Sequence, residues 1–331
     1  MKVLFIGGTG NISSAVSTLA VSRGIDLYLL NRGQRGAGIP GAKSLVGNIS
    51  NPHELASIVK DHSWDSVVDW IAFTEQDIQR DYDLFNGTTK QFVFISSASA
   101  YQRPASHYLV TESTPLSNPF WQYSRDKIAC ERKLNSYYRQ DGFPITIVRP
   151  SLTYRTVIPI PIGAWTEYTA VDRIKKGKKI IVHGDGSSLW TITHADDFAK
   201  GFVGLLGNPK AIGEAFQITS DEVLTWDQIH YALADALGQR ANIVHIASDF
   251  LAAFNEHLRG SLIGDKATSV VFNNTKIKTV VPNFICTIPF AQGIQRTIEW
   301  FEADPARQVI KQETNDWIDH VIARYEQAMA P

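Results

Sequence analysis

Tyr123 and Lys127 form a pair of side chains, four residues apart, whose types and spacing suit proton transfer. If the segment 120–127 opens a helix, both lie on one face, with Cβ atoms about 5–6 Å apart. A free phenol has a pKa near 10 and exchanges protons poorly at neutral pH, whereas a nearby ammonium favours the phenolate. The pair therefore predicts an acid–base site, with an ordinary surface pair on an amphipathic helix as the alternative.

A run of small residues, Ser96–Tyr101, follows the apolar segment Phe92–Ile95, which has the length and composition of a buried strand. Ligands of open α/β sheets bind at the carboxyl ends of strands. A hydroxyl at that position, such as that of Ser97, can bond the substrate oxygen that becomes a carbonyl in the transition state. We predict that Ser97 joins Tyr123 and Lys127, and a serine-rich turn without function is the alternative.

A glycine-rich turn follows the first apolar segment, Val3–Ile6, in the order Gly7-Gly8-Thr9-Gly10-Asn11-Ile12-Ser13. Glycine permits a sharp turn and a close approach of the backbone to a ligand. The start of the helix that follows offers free N–H groups and a favourable dipole to a phosphate. At the first strand–helix junction this pattern predicts a dinucleotide-binding turn, although a plain glycine turn remains possible.

The end of the second strand bears on the choice of cofactor. An acid there bonds the ribose 2′-hydroxyl of NAD, whereas an arginine accommodates the 2′-phosphate of NADP. Here the chain reads Asn31-Arg32-Gly33, with Arg35 close by and no carboxylate. We therefore favour NADP(H) over NAD(H), with Arg32 as a solvated loop residue as the alternative. Asn48, after the third strand, either bonds the adenine edge or forms a turn.

Ten residues are predicted to contact the dinucleotide. They are Gly7, Gly10, Asn11, Ile12, Asn31, Arg32, Asn48, Ile49, Ala72 and Lys127.

The fold class follows from the alternation of short apolar segments with amphipathic ones over residues 1–155. Such alternation predicts a Rossmann-type, doubly wound parallel sheet with helices on both faces. After Arg149-Pro150 the pattern changes, although residues 190–220 again read as part of the sheet domain. Thr225–Gln228 is a capping-box pattern that opens a helix. We expect residues 156–331 to form mainly a smaller C-terminal α/β lobe that binds the substrate.

Composition narrows the class of protein further. Lys and Arg number 32 and Asp and Glu 33, so no basic excess points to nucleic acid. Two cysteines without metal-ligand spacing and nine scattered histidines predict no metal site and a reduced, cytoplasmic compartment. No apolar window reaches the ~18 residues of a membrane helix. We expect a protein that acts on a small molecule and does not enter a membrane.

Taken in this order, the motifs resemble those of the extended short-chain dehydrogenase/reductase family, also called the NAD-dependent epimerase/dehydratase family. The matching residues are Gly7, Gly10 and Ser13 (GxxGxxG, with serine third), Ser97 and Tyr101 (Ser-x-x-x-Tyr), Tyr123 and Lys127 (YxxxK), Arg149-Pro150, Gly184–Gly186 and His194–Asp197 (GDG…H-V-x-D). The resemblance implies hydride transfer to or from a substrate carbon, with Tyr123 moving the hydroxyl proton and Lys127 holding the nicotinamide ribose.

Departures from the family pattern bear on the substrate. Ala98 and Ser99 stand where dehydratases of the family carry Asp-Glu, which disfavours dehydration. Trp190 and Leu152 replace an arginine and an asparagine usual in members that act on sugar nucleotides. We predict substrate contacts for Ser99, Trp121, Leu152 and Trp190, with Trp190 as a core residue as the alternative.

Two functions remain open on the sequence. The first is an NAD(P)-dependent reductase, dehydrogenase or epimerase that acts on a hydroxyl or carbonyl carbon of a small substrate, with sugar derivatives among the candidates. The second is a cofactor-binding protein without catalysis and with an RNA-associated or regulatory role, because residues 184–226 also resemble chloroplast stem-loop-binding proteins. The full Ser–Tyr–Lys set favours the enzyme. The family resemblance also suggests a homodimer through the helices near Asp77–Leu84 and Tyr123–Tyr138.

Overall fold

The computed structural model describes residues 1–33, 38–59, 62–163 and 165–330. The strands are β1 (Lys2–Ile6), β2 (Asp26–Asn31), β3 (Lys43–Val46), β4 (Ser66–Asp69), β5 (Phe92–Ile95), β6 (Leu109–Val110), β7 (Ile145–Pro150), β8 (Leu152–Tyr154), β9 (Lys179–His183), β10 (Leu189–Trp190), β11 (Ile192–His194), β12 (Glu214–Ile218), β13 (Leu224–Thr225), β14 (Asn242–Ile246) and β15 (Val271–Phe272).

The helices alternate with these strands in the first half of the chain and dominate its last third. They are α1 (Ser13–Ser22), α2 (Pro52–Val59), α3 (Glu75–Phe85), α4 (Gln122–Asp141), α5 (Thr169–Lys175), α6 (Ala195–Leu205), α7 (Trp226–Ala236), α8 (Ser248–Phe254), α9 (Glu256–Leu258), α10 (Thr275–Val280), α11 (Phe290–Glu302) and α12 (Gln312–Met329). A π-helical segment covers Arg259–Lys266, and short 3-10 helices cover Ala98–Ala100, Pro209–Ala211 and Pro305–Arg307.

The central sheet has seven strands in the order β12-β7-β5-β4-β1-β2-β3, and every neighbouring pair is parallel. Its middle strands, β4, β5 and β7, are buried along their whole length, as expected for a parallel sheet covered on both faces. The predicted Rossmann-type doubly wound sheet is confirmed. Strand β12 reaches the edge of this sheet from the second half of the chain.

Each face of the sheet is covered by its own set of helices. On one face, Val16 of α1 and Phe202 of α6 pack with Phe5 of β1. On the other face, Ile78 of α3 and Leu134 of α4 contribute to a core with alternate residues of the same strands. Side chains of β1 point alternately to the two faces, so the strand lies between two apolar layers. This explains why it carries no polar residue after Lys2.

A second lobe is formed by β9, β10, β13 and β14 together with α5, α7, α11 and α12. In its core the rings of Trp190 and Trp226 stack with centroids 5.7 Å apart. Thr225 and Gln228 form the predicted capping box at the start of α7. Within the described ranges, no helix has both the length and the apolar composition needed to cross a bilayer.

Candidate active site

Helix α4 carries Tyr123 and Lys127 and is fixed to the sheet by a buried ion pair. Glu131, one turn after Lys127, accepts bonds of 2.9 Å and 2.6 Å from the guanidinium of Arg149 on β7. Both side chains are almost completely buried. Because two parallel bonds set orientation as well as distance, this pair fixes the rotation of α4 and hence the direction of Lys127.

The ammonium of Lys127 lies at the carboxyl edge of the sheet. Its Nζ donates to the carbonyl oxygens of Ala72, 2.7 Å away, and Ile95, 2.8 Å away. Burial lowers the pKa of Lys127 to about 8, mostly because a charged amine is poorly solvated there. The Phe73 ring centroid lies 4.3 Å from the same nitrogen. Lys127 is thus held between the ends of β4 and β5 and keeps its proton at neutral pH.

A chain of three hydroxyls leads to Ser97. Ser124 on α4 donates to the Oγ of Ser99 at 2.8 Å, and the Oγ atoms of Ser99 and Ser97 lie 2.9 Å apart. The backbone N–H of Ser99 also donates to the Ser97 hydroxyl. If the Ser99 hydroxyl donates to the Oγ of Ser97, that oxygen accepts two hydrogen bonds, one from the Ser99 hydroxyl and one from the Ser99 N–H. The hydrogen of the Ser97 hydroxyl is then free to bond a substrate oxygen.

Tyr123 is half-buried between aromatic rings. The centroids of Trp121 and Phe73 lie 5.0 Å and 6.4 Å from its ring, and the Nζ of Lys127 lies 5.9 Å from it. The pKa of Tyr123 is raised, chiefly by burial, while the Ser97 side chain acts in the opposite direction. The pKa of Tyr123 is therefore shifted upward, opposite to the direction that a nearby ammonium favours, and the phenol carries its proton at neutral pH.

The glycine turn lies between β1 and α1. Gly8 has a φ of +99°, and a Cβ there would lie 2.7 Å from the Cδ2 of Leu29, so only glycine fits. Within the part of the chain that the structure describes, the backbone N–H groups of Asn11 and Ile12 have no acceptor. These unpaired donors at the start of a helix fit a phosphate, and the turn therefore fits the pyrophosphate of a dinucleotide.

The Asn11 side chain has another role in addition. Its Nδ2 donates to the carbonyl oxygen of Thr153 and its Oδ1 accepts from the N–H of Thr156. The amide therefore ties the glycine turn to the chain that follows β8, and only the backbone of Asn11 remains for the cofactor.

The residues predicted for the adenosine end lie on loops after β2 and β3. Asn31 accepts from the N–H of Gly33, and the Arg32 side chain is exposed. Asn48 is exposed and accepts from the N–H of Ser50, which corresponds to the turn that the sequence left as an alternative. Ile49 is half-buried against the core. Arg35 lies outside the described residues.

The four predicted substrate residues differ in their surroundings. Trp121 lies beside Tyr123, whereas Ser99 is buried behind Ser97. Leu152 is half-buried on β8, opposite Ile192. Trp190 is 2% exposed and stacks in the second-lobe core, which supports the core alternative over a substrate contact.

Two residues near the site were not predicted. Asn118 is buried, and its Nδ2 donates to the carbonyl oxygens of Ser99 and Gly264, joining the serine turn to the π-helical segment. Asp69 ends β4 and accepts from the N–H of Ile71 at 2.6 Å. An acid closing an apolar strand was a readable signal for Asp69. Asn118 depends on a contact with residues about 150 positions away, which has no local signal.

The described residues of the candidate site include no group of side chains that could bind a metal ion. Across the described ranges, no three His, Cys, Asp or Glu side chains come together as metal ligands.

The model of the NAD-dependent epimerase/dehydratase family matches residues 3–219, which include the glycine turn, Ser97, Tyr123 and Lys127. The chain belongs to this family. The match to the NAD-dependent epimerase/dehydratase family thus includes both the glycine turn after β1 and the helix α4 that carries Tyr123 and Lys127.

Individual relatives within the family differ in their named functions. The chain is 26% identical over 259 residues to the chloroplast stem-loop binding protein of 41 kDa b from Arabidopsis thaliana, covering 74% of this chain and 65% of that protein. It is 30% identical over 169 residues to the UDP-glucose 4-epimerase of Lactobacillus helveticus, covering 45% and 51%. The match therefore spans less than two thirds of either relative.

A solved structure shares the fold over a larger part of the chain. UDP-glucuronic acid 4-epimerase from Bacillus cereus, in complex with UDP-glucuronic acid and NAD, aligns with a TM-score of 0.72 at 18% identity. The alignment covers 92% of this chain and 99% of that one.

Proposed function

We propose that this protein is an NAD(P)-dependent reductase, dehydrogenase or epimerase that transfers hydride at a hydroxyl- or carbonyl-bearing carbon of a small substrate, with sugar derivatives among the candidates. The observation that carries the proposal is that the Tyr123 ring lies 5.9 Å from the Nζ of Lys127, with the Ser97 side chain bonded to the phenol, in a chain whose glycine turn has free N–H donors among the described residues.

Each residue has a defined task in this proposal. Ser97, supplied with hydrogen bonds by Ser99, donates to the substrate oxygen. Tyr123 moves the proton of that oxygen. Its raised pKa keeps the phenol protonated, so that it can donate in the reducing direction, and a nearby cation lowers this pKa. Lys127 uses two of its three N–H donors on carbonyl oxygens and has the third for the ribose. The bound nicotinamide supplies or accepts the hydride.

The cofactor itself is proposed to be NADP(H), with NAD(H) as the alternative. Arg32 is exposed at the end of β2, and the residues that follow this strand contain no acid. Arginine can pair with a 2′-phosphate. The NAD complex of the epimerase from Bacillus cereus supports a nicotinamide cofactor in this fold but bears only on that protein. Affinities for NADPH and NADH, measured by the fluorescence of the reduced ring, decide between them.

Replacing the phenol tests the chemistry. Tyr123→Phe is expected to reduce turnover at least about 100-fold, the usual range for a lost general acid, while dinucleotide binding stays within about twofold. Turnover is followed at the nicotinamide absorbance band with a panel of nucleotide sugars and secondary alcohols. Tyr108→Phe, at an exposed tyrosine in the segment before α4, is the matched control. Full activity in Tyr123→Phe would reject the mechanism.

A function in RNA binding is the second candidate, and the similarity to the chloroplast stem-loop binding protein is what favours it. It requires an affinity for RNA hairpins that falls steeply with salt, together with no hydride transfer. Near-equal numbers of acidic and basic residues argue against it. The absence of hairpin binding at low salt would remove this candidate.

A further inference from the structure

Two fully buried carboxyl groups, those of Asp69 and Asp81, lie behind the catalytic edge and share one guanidinium. The Nη2 atom of Arg80 is 2.9 Å from the Oδ2 of Asp69 and 2.8 Å from the Oδ1 of Asp81. Arg80 also bonds the more exposed Asp77 at 3.0 Å. The proposed mechanism uses none of these groups, yet burying them is costly unless they are paired.

The single positive charge of Arg80 balances only one of the two buried carboxylates, so a proton on the other would make the group of three neutral. Burial and the neighbouring charge of Asp69 raise the pKa of Asp81 well above its ordinary value. The Oδ2 of Asp81 has no donor within the described residues, as expected for the oxygen that carries a hydrogen. Burial also raises the pKa of Asp69, but less than that of Asp81, so the proton belongs on Asp81 and the negative charge on Asp69 beside Arg80.

Asp69 is linked to Lys127 through a short piece of backbone. Its Oδ1 accepts from the N–H of Ile71 at 2.6 Å, which fixes the turn that leaves β4. The next residue, Ala72, offers the carbonyl oxygen that accepts from Lys127 at 2.7 Å. A shift of the Asp69 carboxylate would therefore move the acceptor that orients the ammonium.

We propose that Asp69, paired with Arg80 on its far side, is a positioning residue for Lys127: it fixes the Ala72 carbonyl and supplies a buried negative charge near the ammonium. This inference rests on the proposed function, because it gives Asp69 a task only where Lys127 has one.

Four titratable groups act on Lys127 from the elements packed around it. They are Asp69 at the end of β4, Asp77 on α3, and Cys130 and Glu131 on α4. Burial raises the pKa of the Cys130 thiol to about 12, so it is neutral where Lys127 titrates. Glu131 is paired with Arg149, and Asp77 is partly exposed to solvent screening. Among these four, Asp69 is thus the buried carboxylate that is connected to the ammonium through the backbone of Ile71 and Ala72.

The test compares Asp69→Asn with Asp81→Asn in the full-length protein. Asp69→Asn removes a charge that raises the pKa of Lys127, so the alkaline limb of the pH profile of kcat/KM should move down by about one pH unit from its position near pH 8. Asp81→Asn replaces a neutral acid by a neutral amide at a residue that touches neither substrate nor cofactor. Its pH profile should coincide with that of the wild type.

A readout without turnover separates this inference from the proposed function. Binding of NADPH, measured by fluorescence between pH 6 and 10, should weaken above the pKa of Lys127 and should do so about one unit earlier in Asp69→Asn. Wild-type binding with this pH dependence but no hydride transfer would reject the proposed function and leave the positioning role standing.

A double variant protects the test against misfolding. Asp69→Asn leaves Arg80 short of a partner, so Asp69→Asn/Arg80→Gln removes both charges together and replaces the pair by hydrogen-bonding amides. A downward shift is expected in the double variant too, smaller than in Asp69→Asn because the positive charge of Arg80 is lost as well. An alkaline limb that stays at the wild-type pH in a folded Asp69 variant, or that moves equally in Asp81→Asn, overturns the proposal.

Discussion

The active-site edge of the central sheet and the core of the second lobe differ in how they treat buried polar groups. At the edge, Lys127 makes two hydrogen bonds and Ser99 joins a chain of hydroxyls. In the second lobe, His183 and His230 each make one bond to a backbone carbonyl oxygen, and the other ring nitrogen has no partner among the described residues. The polar groups at the edge are thus linked to one another and to the backbone, whereas each of these two histidines depends on a single hydrogen bond.

The largest effect is expected from breaking the ion pair beneath the edge. Glu131→Leu leaves the guanidinium of Arg149 buried without its partner, and the free energy of unfolding should fall by about 3–5 kcal/mol. Urea unfolding measures this. The double variant Glu131→Leu/Arg149→Met should recover most of the loss, because no buried charge remains. A double variant as unstable as the single one would show that the loss comes from packing alone.

Acid should weaken the second lobe selectively. Burial lowers the pKa of both His183 and His230 to about 4, while an unfolded imidazole titrates near 6.5. The unfolded chain therefore binds more protons between these values, and stability falls as pH drops from about 6.5 to 4. The loss should be on the order of 2–3 kcal/mol for each ring.

The histidine effect is read from urea midpoints at pH 7 and pH 4.5. His230→Asn removes one titrating group and should flatten the dependence by roughly half. An acid sensitivity that is unchanged in His230→Asn would place its origin elsewhere in the molecule.

The smallest expected effect compares two helix starts of the same design. Thr74 at the start of α3 and Thr225 at the start of α7 both form capping boxes. Replacing either by alanine should lower the free energy of unfolding by about 1 kcal/mol. Only Thr74→Ala should also weaken dinucleotide binding, because Thr74 directly follows the segment that contains Ala72. Equal dinucleotide affinity in the two variants would contradict this distinction.

The sequence predicted the sheet because its inner strands are short and apolar. The segments expected at 3–6, 27–30 and 92–95 match β1, β2 and β5 to within one residue at each end. The glycine turn was equally local, since Gly8 requires a positive φ at the first strand–helix junction. Fold class and family are confirmed for these reasons.

The side chains around the site were harder to predict, because their surroundings come from distant parts of the chain. Trp190 was open between pocket and core until its stacking on Trp226 placed it in the core. The direction of the Tyr123 pKa depends on burial, which spacing alone does not reveal. The roles of the site residues, the domain limits, the cytoplasmic location and the homodimer stay predictions.

The contact between Trp121 and the π-helical segment has a consequence for redesign. A Cβ on Gly260 would lie 2.4 Å from the indole Cδ1, so bare backbone supports one face of the tryptophan. Side-chain volume can therefore be moved from one side of this contact to the other, because a smaller residue at position 121 makes room for a side chain at position 260. Such paired substitutions would change the shape of the surface beside Tyr123 for a new ligand, while Tyr123 and Lys127 stay unchanged.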